Sequence, residues 1–431
     1  QNLHEEVSRT LLDTLQVSLL EGISDPEPNI RRTAAALFGR VAECYEGDYW
    51  VPLIPTIVET LVRELGLKDQ SADTSKQQQQ QQVGDGEKAL AEAHLYTLCM
   101  VCEDASEKLA MHSSRPLDVV VPMFLGILHL PNLSGENDGV QLNALLSMNA
   151  LLFLGASNKV RRLSGSGHGN GSPDSSQHRG TSTRKQSGAS AIILHMNVFL
   201  NVLGTLAYAR NSDIRRGVCQ SLSQLMTEQP ATLGGGLSSV CEYMAKAICD
   251  VQPEVAIEAC EFWFALIHHS EAHVEVRKNI VKLVQGAISK CVLTQDEIFA
   301  EREDEELQAT GEKKIHFRAH GEGGGGSGFS EESSTKYTIR RSAALLLDNI
   351  SQLFPDETAS ISLESIEVLL QTKGELEEQA LQRECGMLVL GAIASGCEAS
   401  LASSLPAIFP FFLEGMGDAL PEVRAISCWV Q

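Results

Sequence analysis

Lys336-Tyr-Thr-Ile-Arg-Arg-Ser-Ala-Ala-Leu-Leu-Leu-Asp-Asn-Ile-Ser-Gln-Leu-Phe354 places apolar residues at Ile339, Ala343, Leu346, Leu347, Ile350 and Phe354. Steps of three and four put them on one stripe of an amphipathic helix. Similar stripes recur along the chain, and no stretch alternates as a half-buried strand does. A helix-rich chain without strands leaves two architectures, a bundle or a solenoid.

Internal repetition decides between them. A short turn containing Asp, Asn or Pro precedes an aliphatic residue, often followed by Arg, and a helix then begins. It occurs at Asp25-Pro-Glu-Pro-Asn-Ile30-Arg31, Asn211-Ser-Asp-Ile214-Arg215, Asp250-Val-Gln-Pro-Glu-Val255, Thr338-Ile339-Arg340 and Asp418-Ala-Leu-Pro-Glu-Val423-Arg424. Ile214 and Val255 are 41 residues apart; Ile339 and Val423 are 84 apart, with Leu381-Gln382 midway. A period of about 40–47 with two helices per unit is that of HEAT and armadillo repeats. One helix pair cannot bury its own apolar face, so pairs stack. The expected fold is an all-α HEAT-repeat solenoid, a superhelix of antiparallel helix pairs. The spacing predicts pairs at 3–23 with 27–44, 50–65 with 87–105, 115–130 with 137–155, and 190–208 with 212–228. Further pairs follow at 235–250 with 253–269, 273–293 with 336–354, 357–372 with 375–395, and 399–416 with 420–431. First (A) helices are expected on the convex side and second (B) helices on the concave, partner-binding side.

Three polar insertions interrupt the pattern. Leu67–Gly86 holds six consecutive glutamines, Gln77–Gln82. Ala156–Gly188 is rich in Ser and Gly and basic, with Lys159, Arg161, Arg162, Arg179, Arg184 and Lys185 against Asp174. Asp296–Thr335 carries 11 acidic residues against 4 Lys or Arg, among them Asp296, Glu297, Glu301, Glu303, Asp304, Glu305 and Glu306. It ends in the glycine run Gly323–Gly326. None is expected to pack a core, and all three are expected to be mobile.

Composition narrows the function. The 431 residues carry 34 Lys or Arg against 56 Asp or Glu, a formal charge of −22. Gripping nucleic acid requires clustered cations, so direct nucleic-acid binding is not expected, whereas basic partners suit an acidic surface. At 43% apolar the chain is rich enough to bury a large core. No apolar run reaches a membrane span's length of about 20 residues. The N-terminus lacks a signal peptide's features, and both ends fall inside amphipathic patterns, so the sequence reads as a segment of a longer chain. The 11 cysteines are scattered among apolar residues and read as reduced, buried thiols of a cytosolic or nuclear protein. The sequons at Asn132, Asn170 and Asn349 are then idle.

Catalytic and metal constellations are thin. Cys99-Met-Val-Cys102 is the only CxxC, and it lies in an apolar helical stretch without a second ligand pair. His268 and His269 are adjacent, near Glu271 and His273, and neighbouring helical positions diverge by about 100°. Gly165-Ser-Gly-His-Gly169 lacks the strand and the GK[ST] of a phosphate loop. No G-x-S-x-G or H-E-x-x-H occurs. An enzyme is not expected, nor any cofactor or metal.

One region stands out. The helix around Glu384–Ala394 is apolar nearly all round, through Met387, Leu388, Val389, Leu390, Ala392, Ile393 and Ala394. The next B helix carries Ile426 and Trp429 on one face, and the preceding one carries Asp348 amid aliphatics. Two readings stand. One is tight packing between repeats. The other is an open apolar patch with one carboxylate that accepts an extended peptide, with Trp429 as its anchor.

The same residues carry a resemblance. Glu384-Cys-Gly-Met-Leu-Val-Leu-Gly-Ala-Ile-Ala-Ser-Gly-Cys397, Leu405-Pro, Val423-Arg-Ala-Ile-Ser-Cys-Trp429 and Val255-Ala-Ile-Glu-Ala-Cys-Glu-Phe-Trp263 resemble the transportin (karyopherin-β2) family of importin-β-like nuclear import receptors. Cys102-Glu-Asp-Ala-Ser, Arg115-Pro-Leu, Leu194-His-Met and Ile214-Arg-Arg-Gly-Val-Cys219 match in the same order, covering nearly the whole chain. The resemblance implies a receptor that binds cargo through a basic nuclear localisation signal ending in Pro-Tyr. It implies release of that cargo by Ran-GTP, contact with nucleoporins, and shuttling between cytoplasm and nucleus. By resemblance, residues 1–295 belong to the Ran-side arch, 296–335 to a regulatory insertion, and 336–431 to the start of the cargo arch. The family's Pro-Tyr pocket falls on Asp348, Leu388, Ala392, Ile426 and Trp429. Trp429 and Ile426 would pack the rings, and Asp348 would supply a polar contact. The acidic residues Asp296, Glu301, Glu303, Asp304, Glu305 and Glu306 would couple Ran to cargo ejection. The family has a small residue where Leu345 aligns, and an arginine expected just past Trp429 lies beyond Gln431. The rival readings are a HEAT scaffold without Ran or signal recognition, and an importin-β-like receptor for the importin-α arm.

Overall fold

The computed structural model describes residues 14–67, 85–132, 135–164, 189–293, 298, 338–374 and 376–430. Among them no strand occurs. The chain forms two compact units, Gln1–Thr232 and Leu233–Gln431.

Among the described residues the first unit contains α1 (14–23), α2 (Pro28–Cys44), α3 (Ile54–Glu64), α4 (Asp85–Met111), α5 (Leu117–Leu128), α6 (Asp138–Ser164), α7 (Ala189–Leu206) and α8 (Ser212–Glu228). The even-numbered helices stack in succession, α2 on α4, α4 on α6 and α6 on α8; α5 likewise touches α3 and α7. The second unit repeats the scheme with α9 (Leu237–Ala247), α10 (Pro253–Ile267), α11 (His273–Lys290), α12 (Ile339–Leu353), α13 (Pro355–Leu370), α14 (Glu377–Ala394), α15 (Leu405–Gly415) and α16 (Pro421–Trp429). Here α10, α12, α14 and α16 form one layer, while α9, α11 and α13 pack in sequence in the other. This is the HEAT-type solenoid, with odd helices as A and even helices as B.

The recurring turn has a physical cause. The side chains of Asp25, Asn211, Asp250 and Asp418 each accept a hydrogen bond from the backbone N–H two residues on, at 2.8–3.0 Å. That closes an Asx turn between helix A and helix B. The arginine then reaches back to carbonyls left open at the turn. Arg31 donates to the carbonyls of Asp25 and Pro26, Arg215 to Ala209 and Arg210, and Arg424 to Asp418 and Ala419, all at 2.8–3.0 Å. Where Ala256 replaces the arginine, Lys290 of the next repeat donates to the Asp250 carbonyl at 2.6 Å. Each brace is a charge-assisted bond at a partly exposed turn. Arg424→Ala is therefore expected to lower stability by about 1–2 kcal/mol, read as an earlier urea midpoint; no shift would contradict the bracing role.

All six stripe residues from Ile339 to Phe354 are buried. Two expected boundaries move. Helix α6 continues to Ser164 rather than ending near 155. Helix α4 spans Asp85–Met111, with a non-helical residue at Ala105. The expectation that Asp296–Thr335 packs no core fails at one residue. Ile298 is only 2% exposed and clusters with Leu293, Leu381 and Leu420. A lone aliphatic in an acidic stretch is drawn out of water wherever a neighbouring cluster has room.

Candidate functional site

The open side of α12, α14 and α16 is built in rows. The helices pack in sequence, and equivalent positions lie 43 residues apart from α12 to α14 and 38 apart from α14 to α16. The first row is Leu345, Leu388 and Ile426. The second is Asp348, Gly391 and Trp429. The third is Asn349, Ala392 and Val430, and the fourth Gln352 and Ser395. Two contacts fix the register. The Gln352 side-chain amide bridges Asp348 Oδ1 and Ser395 Oγ, both at 3.4 Å. A Cβ placed on Gly391 would run into the Trp429 ring and come within 3.0 Å of Val430 Cγ2. The indole thus lies against bare backbone of α14.

Exposure separates the two readings of α14 residue by residue. Met387, Val389, Leu390 and Ile393 are buried between helices, as packing demands. Leu388 and Ala392 are half-buried on the open side, as are Asp348 and Ile426. Leu345 is 44% exposed and Trp429 63%. Trp50 and Trp263 are fully buried, so Trp429 alone among the three tryptophans faces solvent. All five candidate cargo-site residues therefore share one face. Gly391, Asn349, Gln352 and Ser395 belong to it too, and were not singled out from sequence. The 43-residue spacing of Gln352 and Ser395 was the available signal.

The Gly391 contact is testable. Gly391→Val should displace the Trp429 ring and raise its collisional quenching by acrylamide, with Trp50 and Trp263 staying protected. Unchanged quenching would mean the ring does not rest on α14.

Beneath this face Arg340 of α12 and Glu384 of α14 form an ion pair at 2.5 Å, with side chains 16% and 3% exposed. Burial works against the Arg340 charge, but the bond and charge of Glu384 raise its pKa overall. Cys291 lies within its field; burial pushes that thiol up to about 12.

The other sequence candidates resolve into structure. Cys99 and Cys102 are buried side by side on α4, and burial, then the charge of Glu103, pushes both thiols up. His273 bonds the Ile267 carbonyl at 2.8 Å and packs edge-on against Phe354. Asn132 is tied to Asp138 and Gln141 at 2.6 and 2.8 Å, and Asn349 bonds the Leu345 carbonyl. Gly165–Gly169, Asn170, and the acidic residues Asp296, Glu301, Glu303, Asp304, Glu305 and Glu306 lie outside the described residues. Among the described residues, no group of three or more His, Cys, Asp or Glu is placed to hold a metal, and no helix is long and apolar enough to cross a membrane.

Only Cys44, Cys249 and Cys428 are exposed. Burial pushes the Cys241, Cys260 and Cys291 thiols up to about 12. Alkylation of the native protein at pH 8 is therefore expected to add three adducts by intact mass, and eleven after denaturation. More than three on the folded protein would contradict this burial pattern.

Comparison with known proteins follows this geometry. The HEAT-like repeat family matches residues 380–430, the stretch holding α14 to α16. Importin subunit beta-2 of Schizosaccharomyces pombe is 23% identical over 97% of this chain and 42% of its own length. Transportin of Dictyostelium discoideum is 24% identical over 99% of this chain and 45% of its own. The solved structure of Kap95p with RanGDP superposes with a TM-score of 0.55 at 14% identity, covering 96% of this chain and 38% of that one. The chain thus spans less than half the length of the curated relatives it matches.

Proposed function

We propose, for a chain that resembles the transportins over nearly its whole length, that it is part of a nuclear import receptor. In this reading it binds cargo through a basic localisation signal ending in Pro-Tyr and releases it to Ran-GTP. The observation that carries the reading is the open face of α12, α14 and α16. An exposed indole stands over backbone, flanked by Leu388, Ala392 and Ile426, with one carboxylate, Asp348, a helix away. Tryptophan is enriched at binding hot spots, and this one rests on bare backbone beside three aliphatic side chains. Trp429 and Ile426 pack the signal's rings, Leu388 and Ala392 floor the pocket, and Asp348 takes a hydrogen bond or cation. Nucleoporins are the partners for passage between cytoplasm and nucleus.

Release needs a second partner that favours the cargo-free state. Ran-GTP shifts the equilibrium only by its differential affinity for the two states. A hundredfold weakening of cargo requires about 2.7 kcal/mol of coupling. The acidic run Asp296, Glu301, Glu303, Asp304, Glu305 and Glu306 supplies a competitor for the signal's basic half. It is tethered to α11 and α12, so its effective concentration reaches about the millimolar range. Deleting Asp296–Thr335 is expected to leave signal-peptide affinity intact and to abolish Ran-driven release, read by anisotropy of a labelled peptide. Release that survives the deletion would remove the insertion from the mechanism.

A further inference from the structure

Ile298 belongs by sequence to the acidic insertion, yet it is 2% exposed and packs with Leu293, Leu381 and Leu420. Those three neighbours come from three successive helix pairs. Leu293 lies just past α11, Leu381 near the start of α14, and Leu420 caps the start of α16. Polar bonds hold the neighbours in place around the isoleucine. Arg383 of α14 gives two bonds to the Asp418 carboxylate, at 2.7 and 3.1 Å, and Asp418 accepts the Leu420 N–H at 3.0 Å. The Cys385 thiol, one turn past Leu381, donates to the Ile288 carbonyl of α11 at 3.7 Å. That same oxygen accepts the Cys291 N–H at 3.0 Å. The end of α11, the start of α14 and the turn before α16 therefore meet where Ile298 docks.

This contact and the open face lie along one stripe of α14. Leu381, Cys385, Leu388 and Ala392 step by four, three and four, which keeps them on one side of the helix. Leu381 and Cys385 are buried, whereas Leu388 and Ala392 are half-buried on the open side. Seven residues of α-helix separate Leu381 from Leu388, an axial rise of about 10 Å. The carboxylates begin directly after the docked residue. Glu301 is three positions past Ile298 and Glu306 eight. Three residues of chain span at most about 10 Å and eight about 28 Å. Counted from Leu293 instead, the same two residues stand eight and thirteen positions away.

We propose that Ile298 is a positioning residue: docked on Leu293, Leu381 and Leu420, it starts the acidic run beside the α14 end of the candidate cargo face. The inference rests on the receptor reading above and adds to it the residue that sets where the competing carboxylates begin. Its size follows from tether length, since effective concentration falls roughly as the −3/2 power of that length. Undocking lengthens the tether from three to eight residues for Glu301 and from eight to thirteen for Glu306. The local concentration of those carboxylates then falls about fourfold and about twofold.

The test follows release of a labelled basic Pro-Tyr peptide by anisotropy as Ran-GTP is added. Ile298→Ser should leave peptide affinity unchanged without Ran-GTP. It should raise the Ran-GTP concentration for half-release about two- to fourfold. A second variant, Ile298→Cys with Leu420→Cys, is measured reduced and after diamide oxidation, with the cross-link identified by peptide mapping. The reduced form should behave like Ile298→Ser, and the disulfide should restore wild-type release. Restoration by a reversible bond separates positioning from a general loss of packing. Wild-type release in Ile298→Ser, or no cross-link in the folded protein, would overturn the proposal and leave the receptor reading standing. A disulfide that blocks release would show that Ile298 must leave its site, and would overturn it likewise. If Ran-GTP fails to release the peptide from the wild-type protein, the receptor reading falls and the proposal with it.

Discussion

Glu384→Ala is expected to destabilise the Leu233–Gln431 unit by about 3–5 kcal/mol. The carboxylate is buried on α14, and its partner Arg340 is anchored on α12, so the substitution strands a guanidinium in a poorly solvated interior. The Arg340 charge is tolerated there because Glu384 offsets its desolvation. Removing the pair together is expected to do less harm: in Arg340→Met with Glu384→Leu most of the loss should return, because no charge is left behind. Urea unfolding of the three variants measures the difference. The pair bridges the two helices that carry Leu345, Asp348, Leu388 and Ala392, so the single variant should also blur the open face before the unit unfolds. A loss below about 1 kcal/mol for Glu384→Ala would mean that water reaches the pair.

Trp429→Ala is expected to weaken binding of a basic Pro-Tyr peptide by about 2 kcal/mol, or roughly thirtyfold. In the receptor reading the indole packs a ring of the signal, so its truncation acts chiefly on binding. Within the fold the indole rests on Gly391, and loss of that packing should move the unfolding midpoint only slightly. The two readouts separate the roles. A large fall in affinity with a near-native midpoint marks a binding anchor. A large fall in stability with unchanged affinity marks a packing residue and contradicts the site.

Sequence made the repeat architecture readable because two independent signals coincide at each pair. Stripes such as Ile339–Phe354 fix the buried face, and turns such as Asp418-Ala-Leu-Pro fix where helix B begins. Both are local, so neither depends on tertiary context. Boundaries were less legible. The tail of α6 reads as part of a Ser- and Gly-rich insertion, yet the helix runs to Ser164. Ile298 is invisible in an acidic run, since its burial depends on Leu381 and Leu420, far along the chain. At the candidate site the large residues declared themselves. Gly391 did not, because a glycine's role is defined by what lies against it, here the Trp429 ring. Gln352 and Ser395 meet only once α12 and α14 are set side by side.

The central claim is that one face of this protein holds a signal peptide which Ran-GTP displaces. Anisotropy of a labelled basic Pro-Tyr peptide, titrated with the protein and then with Ran-GTP, measures both halves together. The account predicts saturable binding, lost on adding Ran-GTP and not on adding Ran-GDP. A peptide that binds equally well in the presence of saturating Ran-GTP, or that never binds while Ran-GTP does, would contradict it.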